Sequence, residues 1–130
     1  MQNKVFTMGH STRAISEFLQ KLKDNKIEIL IDIRTYPRSR FQPQYNQKAL
    51  ADSLSNVGVF YMYRGKNLGG KEENVDYEET IDELVDIING GESVCVMCSE
   101  GDYRKCHRSS MLEPSFRERG FEVEHISYDK

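Results

Sequence analysis

Three short groups of residues in this 130-residue chain combine side chains that can exchange protons or bind anions. The first group is Gly9-His10-Ser11, the second runs from Asp32 to Arg40, and the third runs from Cys98 to Arg108. Histidine titrates near neutral pH, carboxylates act as acids, bases or orienting groups, and the planar fork of arginine suits phosphate or carboxylate. These residue types together predict a site for an anionic ligand.

Eight side chains in the three groups are candidate site residues. The acid–base candidates carry a carboxylate or an imidazole, and they are Glu100, His10, Asp32 and His107. The substrate-binding candidates offer a guanidinium or a hydroxyl, and they are Ser11, Arg34, Arg40 and Arg108. Structural interpretations stay open beside these roles. Asp32 can form an ion pair with an arginine, and Gly9-His10-Ser11 can be a tight turn followed by a helix cap.

The spacing of Cys98 and Arg104 resembles the phosphate cradle of cysteine phosphatases and some sulfurtransferases, in which five residues separate a thiolate nucleophile from an arginine. Two acids in this loop, Glu100 and Asp102, would repel a phosphate. A cysteine-dependent enzyme is therefore the third of our functional hypotheses.

A metal site is a further alternative for the third group. The available ligands are Cys98, Cys106, His107 and His10. Their spacing matches no recognised zinc pattern, and adjacent residues on a helix point about 100° apart. The cysteines can also be small buried hydrophobes. We predict no metal ligands, and the sequence identifies no cofactor.

An alternation of strands and helices must position these groups. Apolar runs predict strands over 4–8, 27–33, 59–63, 93–98 and 121–126. Helical spacing predicts helices from a Ser11 N-cap to about residue 24, from Asn46 to Leu54, from Asp76 to Asn89, and from about Tyr103 to Arg119 with an interruption at Pro114. The pattern predicts one three-layer α/β domain over residues 1–130, with a mostly parallel sheet of about five strands and helices on both faces. Ligands bind such sheets beyond the carboxyl ends of the strands, where all three groups lie.

The overall composition narrows the class of partner and the compartment. The net charge is −3, which does not attract nucleic acid to the whole molecule. Residues 33–51 nevertheless carry four cations and no acid, whereas residues 72–86 carry eight acids and no cation, as on a solvated helix face. Three cysteines within twelve residues indicate reduced thiols rather than a secreted disulfide framework. We expect a cytoplasmic protein with no signal peptide and no membrane partner, since no apolar run approaches about 18 residues.

The chain resembles the domain of unknown function 488 family. The motifs that carry the resemblance are T-M-G-H-S at 7–11, D-I-R-T-Y-P-R-S-R at 32–40, L-G-G at 68–70, M-C-S-E at 97–100, C-H-R at 106–108 and H-I at 125–126. The resemblance implies a compact α/β domain and no established activity. The residues of this chain that match the family's motifs are Gly9, His10, Ser11, Asp32, Arg34, Pro37, Arg40, Leu68, Gly69, Gly70, Cys98, Glu100, Cys106, His107 and Arg108. Arg104 lies in a variable part of the pattern, and Gly101-Asp102-Tyr103 stand where many members have a proline.

Two other hypotheses about the function rank above the cysteine-dependent enzyme. The first is an enzyme that acts on a phosphorylated or otherwise anionic substrate, with a nucleotide or nucleic acid favoured. The second is a non-catalytic module that binds a nucleotide or nucleic acid through the same arginines. The residues alone identify neither the reaction nor the oligomeric state.

Overall fold

A computed structural model of the chain describes residues 3–69, 74–106 and 108–128, with Tyr103, Arg108 and Ser109 described by their backbone alone. Its five strands are β1 Lys4–Gly9, β2 Ile29–Asp32, β3 Phe60–Tyr63, β4 Val94–Cys98 and β5 Glu122–His125. The sheet order is β3-β2-β4-β1-β5, and every neighbouring pair is parallel. The predicted five-stranded parallel sheet is confirmed.

Helices connect the strands in the described ranges. They are α1 Ile15–Asp24, α2 Gln47–Asn56, the single turn α3 Gly65–Leu68, α4 Tyr77–Asn89 and α5 Glu113–Glu118. Shorter 3₁₀ turns occupy Pro43–Tyr45 and Tyr103–Lys105, and a π-helical turn occupies Arg108–Leu112. Apolar residues at helical spacing bury one face of each long helix, as Phe18 and Leu22 do in α1. No helix in these ranges has the length and apolar character needed to cross a bilayer.

The chain moves across the sheet in two directions, and this divides the helices between its faces. The path from β1 through β2 to β3 runs one way, and the path from β3 through β4 to β5 runs the other. Right-handed crossovers then put α1 and α2 on one face and α3 to α5 on the opposite face. Two separate apolar clusters reflect this: one contains Phe18 and Leu54, and the other contains Ile81 and Phe116. The direction reverses at β3, so the chains that leave the neighbouring strands β2 and β4 turn to opposite faces of the sheet, and a crevice opens beyond the ends of these strands.

The predicted Ser11 N-cap is wrong. Helix α1 begins at Ile15, and Ala14 occupies its N-cap position. Ser11 instead has a left-handed backbone conformation, with φ 53°, and its N–H donates to the Ser99 carbonyl at 2.8 Å. The chain after β1 therefore continues its pairing with the β4 segment before the helix begins. A hydroxyl four residues before a helix cannot cap it, so the structure provides no helix N-terminus at Ser11 for an anion.

The predicted helix from about Tyr103 to Arg119 is also wrong as one element. The structure has a 3₁₀ turn, a π-helical turn and then α5, which ends at Glu118. Pro114 lies in the first turn of α5, where its missing N–H costs no helical hydrogen bond. The same proline could not have been accommodated in the interior of a longer regular helix at this cost. The predicted interruption is present, but it marks the start of α5.

Candidate functional site

The carboxyl ends of β1, β4 and β2 lie side by side in the sheet. Gly9 is opposite Cys98 across one side of β4, and Asp32 is opposite Met97 across the other. The pairing of β1 continues beyond the strand, because the His10 N–H donates to the Cys98 carbonyl at 3.0 Å. The three chemically active groups of the sequence therefore meet at one edge, as the alternation of strands and helices predicts.

Two glycines allow the loops after β1 and β4 to touch through their backbones. A Cβ atom on Gly9 would lie 1.8 Å from the Glu100 carbonyl oxygen, which is well inside van der Waals contact. A Cβ atom on Gly101 would lie 2.9 Å from the Cβ of Ser11. The absence of a side chain at both positions therefore sets the distance between His10 and the loop that carries Glu100.

Asp32 and Arg34 form a buried, bidentate ion pair. Asp32 is fully buried, and its Oδ1 accepts hydrogen bonds from the backbone N–H of Arg34 at 3.1 Å and from Nε at 2.9 Å. Its Oδ2 accepts from Arg34 Nη2 at 2.8 Å and from the Tyr61 hydroxyl at 2.7 Å. Burial, with the adjacent Asp32 charge, raises the pKa of Tyr61, which keeps this hydroxyl a donor. Each carboxylate oxygen already accepts two hydrogen bonds, so these contacts favour Asp32 as the group that orients Arg34 over Asp32 as a base.

Two buried nitrogen atoms have no hydrogen-bond partner within the part of the chain that the structure describes. They are Nη1 of Arg34 and Nε2 of His10, on side chains that are 5% and 3% exposed. The guanidinium Nη1 is a donor. The imidazole Nε2 is an acceptor when His10 is neutral and a donor when it is protonated.

The surroundings of His10 determine which form it takes. Its Nδ1 donates to the Ser11 carbonyl at 2.7 Å, and its ring stacks on Tyr45 with centroids 4.2 Å apart. Burial is the main cause that lowers the pKa of His10 to about 4, and the Arg34 charge acts in the same direction, whereas the Ser11 hydrogen bond and the Asp32 charge oppose the shift. At neutral pH the ring is therefore uncharged, and Nε2 presents a lone pair beside the positive charge of Arg34.

A cavity of about 500 Å³ lies at this edge of the sheet. The described residues that line it are Ile33, Arg34, Thr35, Tyr36, Arg38, Gly69, Cys98, Ser99, Glu100, Lys105 and Cys106. Three of these side chains are cationic and one is anionic, so the lining favours a negatively charged ligand. Sequence analysis did not assign Arg38 or Lys105 to the site, although both lie within the three groups from which it began.

The loop between β2 and α2 carries three arginines and is held by its own hydrogen bonds. The Ser39 N–H donates to Asn46 Oδ1 at 2.7 Å, and the Gln47 N–H donates to the Pro37 carbonyl at 2.9 Å. Arg40 is exposed in the middle of the loop, with its guanidinium 6.0 Å from the ring centroid of Phe41, and it is not one of the residues that line the cavity. Its role in substrate binding stays a prediction.

The cysteines of the third group contact each other. The Sγ atoms of Cys98 and Cys106 are 2.9 Å apart, and the Cys98 thiol also lies 3.6 Å from the Glu100 carbonyl oxygen. Arg104 is exposed and bonds to Asp102, with Nε to Oδ1 at 3.0 Å and Nη2 to Oδ2 at 3.2 Å. Its guanidinium does not line the cavity beside Cys98, so these contacts do not favour the phosphatase-like arrangement.

Comparison with known protein families finds a match that covers the central part of the chain. The family model described as "Domain of unknown function DUF488" matches residues 14–80, which is 67 of the 130 residues. The chain belongs to this family. No curated protein and no solved structure matches the chain. The resemblance inferred from the motifs is confirmed at the level of the family.

The DUF488 match covers the D-I-R-T-Y-P-R-S-R and L-G-G motifs, and the structure explains why these two are neighbours. A Cβ atom on Gly65 would lie 1.9 Å from the Arg34 carbonyl oxygen, and one on Gly69 would lie 2.0 Å from Thr35 Oγ1. Helix α3 thus packs directly against the backbone that carries Arg34, and Leu68 anchors it in the core. Gly70 lies outside the described residues.

The structure of this DUF488 domain does not describe the side chains of two predicted site residues. His107 lies outside the described residues, and Arg108 is described only by its backbone, in the π-helical turn. Their roles stay predictions. The described residues contain no cluster of three or more His, Cys, Asp or Glu side chains that could hold a metal ion. His10 and Cys98, two of the four ligands considered for a metal, project to opposite faces of the sheet.

A larger concavity, of about 960 Å³, lies at the opposite edge of the sheet. It is lined by the end of α1 and by the residues that precede β2, β3 and β4, including Lys23, Lys26, Ile27, Val57 and Ser93. None of the eight candidate site residues is among them. The carboxyl edge is therefore the candidate site, because ligands of open parallel sheets bind there and the buried polar groups converge there.

Proposed function

We propose that this DUF488 domain binds a phosphorylated or otherwise anionic substrate in the strand-end cavity and catalyses a reaction on it. The supporting observation is the state of Arg34, whose guanidinium is fixed by Asp32 while its Nη1 has no acceptor among the described residues. An unsatisfied buried donor costs roughly 1–3 kcal/mol. An anionic oxygen bound at Nη1 would recover that free energy, and Arg38 and Lys105 add positive charge to the same cavity.

His10 supplies the second part of the proposal. With a pKa of about 4, the imidazole is a weak base in the unliganded protein. An anion bound at Arg34 would raise this pKa, because it offsets the guanidinium charge that lowers it. His10 is not one of the residues that line the cavity. We therefore propose that Nε2 accepts a proton from a substrate hydroxyl or a water molecule that extends beyond the lining, on the His10 side of Arg34. Glu100, an exposed carboxylate in the cavity lining, is the second candidate acid–base group.

Residues 33–46 between β2 and α2 form the arginine loop, and its aromatic residues support a nucleotide or a nucleic-acid end as the substrate. Tyr36 lines the cavity and is 53% exposed, and Phe41 on the same loop is 81% exposed. A base stacked on an aromatic ring gains about 1–3 kcal/mol, and arginines beside it bind the backbone. A phosphate in the cavity with its base on Tyr36 would use both features. The net charge of −3 favours a small nucleotide or a strand end over a long duplex.

Binding is tested by calorimetric titration of the protein with inorganic phosphate, AMP and a short 5′-phosphorylated single-stranded oligonucleotide. Arg34→Lys keeps a positive charge beside Asp32 but removes Nη1, and we expect it to weaken binding of all three probes roughly tenfold or more. Arg38→Gln should weaken binding less and reduce its salt dependence. Lys48→Gln, which removes the same charge from the exposed Lys48–Asp52 pair on α2, should leave affinity unchanged. Failure of the folded wild-type protein to bind any probe would contradict the proposal.

Arg40 is tested in the same titrations. It lies beside Phe41 and outside the cavity, so Arg40→Gln should weaken binding of the oligonucleotide and leave binding of inorganic phosphate unchanged. An equal loss for both probes would place Arg40 at the phosphate instead.

Catalysis is tested by following phosphate release and substrate conversion over a panel of nucleotides and phosphate esters. His10→Gln and Glu100→Gln should each retain binding, and loss of a working acid–base group should lower turnover by roughly 10²–10⁴. Binding without turnover in the wild-type protein would support the alternative, a non-catalytic binding module. Loss of turnover in Cys98→Ser, with binding retained, would favour the cysteine-dependent enzyme, which the contacts of Arg104 do not support.

A further inference from the structure

Two thiols at the wall of the cavity form a pair that the proposed function does not use. Cys98 ends β4 and is 5% exposed, whereas Cys106 follows the 3₁₀ turn Tyr103–Lys105 and is partly exposed. Their Sγ atoms are 2.9 Å apart, and both residues line the cavity. The sulfur of a more exposed cysteine is thus in direct contact with the sulfur of a buried one.

The geometry lies close to that of a disulfide. A disulfide bond is about 2.05 Å long, so the two sulfur atoms need to approach by about 0.9 Å, the difference from the 2.9 Å observed. Cys106 lies in a bend between the 3₁₀ turn and the π-helical turn Arg108–Leu112, so its side chain can move without breaking a helix or strand. Cys95 is fully buried in the apolar cluster on the opposite face of the sheet and takes no part in this contact.

We propose that Cys98 and Cys106 are a reversible redox site, which a small-molecule disulfide such as oxidised glutathione converts from a dithiol to a disulfide. The Cys106 thiolate attacks one sulfur of the small disulfide, forms a mixed disulfide, and displaces one thiolate, which takes up the proton that Cys106 has lost. The Cys98 thiolate then attacks the Cys106 sulfur and displaces the second thiolate, which takes up the proton from Cys98. The protein loses two electrons and two protons, and the small disulfide is reduced to two thiols.

The order of attack follows from exposure. Cys106 is the thiol that a molecule in solution can reach, and Cys98 lies behind it at the end of β4. Closing the bond ties the end of β4 to the segment before the π-helical turn. The loop between them carries Glu100 and Lys105, two residues of the cavity lining, so oxidation restricts one wall of the cavity. The redox chemistry itself does not depend on what the cavity binds.

The test is intact-mass spectrometry and peptide mapping of the reduced protein after exposure to oxidised glutathione. We expect the wild-type protein and Cys95→Ser each to lose about 2 Da, with the new bond mapped to Cys98 and Cys106, and dithiothreitol to reverse the change. Cys98→Ser should accumulate a stable mixed disulfide at Cys106. Cys106→Ser should react much more slowly, because its remaining partner thiol, Cys98, is buried.

Circular dichroism of each variant, together with the paired substitutions Cys98→Ala and Cys106→Ala, shows whether the fold is retained. A bond that includes Cys95, or a wild-type protein that carries a persistent mixed disulfide at Cys106 without closing the ring, would overturn the proposal. So would a wild-type protein that stays fully reduced while a reference dithiol in the same buffer is oxidised. Phosphate titration of the reduced and oxidised protein reports separately on the anion site, so failure of one proposal is not mistaken for failure of the other.

Discussion

Single residues determine where charge lies at the carboxyl edge of the sheet. Asp32 accepts hydrogen bonds from Arg34 and Tyr61 with both of its oxygens, which fixes a buried guanidinium whose Nη1 has no partner in the described part of the chain. Burying two charges costs several kcal/mol per ion unless the geometry is close to ideal. A bidentate pair with a hydroxyl donor meets that condition, and it holds the arginine rigidly for a ligand.

Removing the carboxylate from this pair should be costly. We expect Asp32→Asn to lower the free energy of unfolding by about 3–5 kcal/mol, because Arg34 would keep its charge in a buried site without a counter-ion. Urea denaturation at neutral pH measures the change. The matched control is Glu83→Gln, which breaks the Arg64–Glu83 pair at the surface and should cost less than about 1 kcal/mol. Equal losses in the two variants would show that the Asp32–Arg34 pair is not the buried anchor described here.

His10 should make stability depend on pH in the mildly acidic range. Its pKa is 6.5 in an unfolded chain and about 4 in the folded protein, so the unfolded chain binds a proton more readily. Stability from the neutral imidazole is therefore complete above about pH 6.5 and is lost as the pH falls toward 4. The two pKa values correspond to on the order of 3 kcal/mol.

The contribution of His10 is measured by urea denaturation between pH 4 and 7 in the wild-type protein and in His10→Gln. The difference in unfolding free energy between them should shrink as the pH falls, because the variant has no group there to titrate. A difference that stays constant with pH would contradict a lowered pKa for His10.

At this scale the sequence predicts which segments meet at the carboxyl edge, but not the role of each residue in them. It left Asp32 open between an ion pair and a base, and only the three-dimensional contacts decide that Arg34 occupies it. Arg38 was not among the predicted site residues, because the direction in which a loop side chain points depends on the path of the loop. That path depends on bonds such as the one from Ser39 to Asn46, which no short motif predicts.

At the scale of secondary-structure elements, the order of the strands creates the site. The alternation of strands and helices predicts a parallel sheet, but it does not say that β4 inserts between β2 and β1. The position of β4 depends on which apolar surfaces the long crossover from β3 to β4 buries. That choice depends on the packing of the whole core and not on any single segment. The irregular path between β4 and α5 was equally hidden, since Pro114 is compatible with the start of a helix as well as with a kink.

The contact between the loops after β1 and β4 should tolerate no side chain at Gly9. Gly9→Ala puts a Cβ atom 1.8 Å from the Glu100 carbonyl oxygen, so the backbone must move. We expect a loss of at least about 1–3 kcal/mol in unfolding free energy, together with weaker phosphate binding. Gly90→Ala is the control, because the new Cβ atom would lie 3.3 Å from the Ile87 carbonyl oxygen, its nearest neighbour among the described residues, and the φ of Gly90 is −76°. Gly9→Ala with wild-type stability would contradict the close approach of these loops.

The whole molecule separates its charges despite a net charge of only −3. The arginine loop and the cavity lie at the carboxyl edge, whereas the acidic residues of α4 lie on the outer side of one face. The sequence suggested a merely solvated acidic face, but part of it is paired. Arg119 bonds to Glu78 at 2.7 Å and to Asp82 at 2.8 Å, and Arg64 bonds to Glu83 at 2.8 Å. The acids thus support helix packing, and the cations at the cavity keep a positive local field.

Anion binding should consequently stabilise the entire domain. A ligand that binds only the folded state at 100 times its Kd adds about 2.7 kcal/mol, which for a domain of this size raises the Tm by about 10 °C. We expect inorganic phosphate to produce this rise in thermal denaturation of the wild-type protein, and added sodium chloride to reduce it. Phosphate also stabilises proteins by exclusion from their surface, and that effect is the same in a variant without the site. Arg34→Lys should therefore show a clearly smaller rise, because binding that is tenfold weaker keeps only about half of the stabilisation that binding provides. Identical phosphate-induced shifts in the two proteins would mean that the buried guanidinium does not bind the anion, and the charge separation would then serve solubility and packing alone.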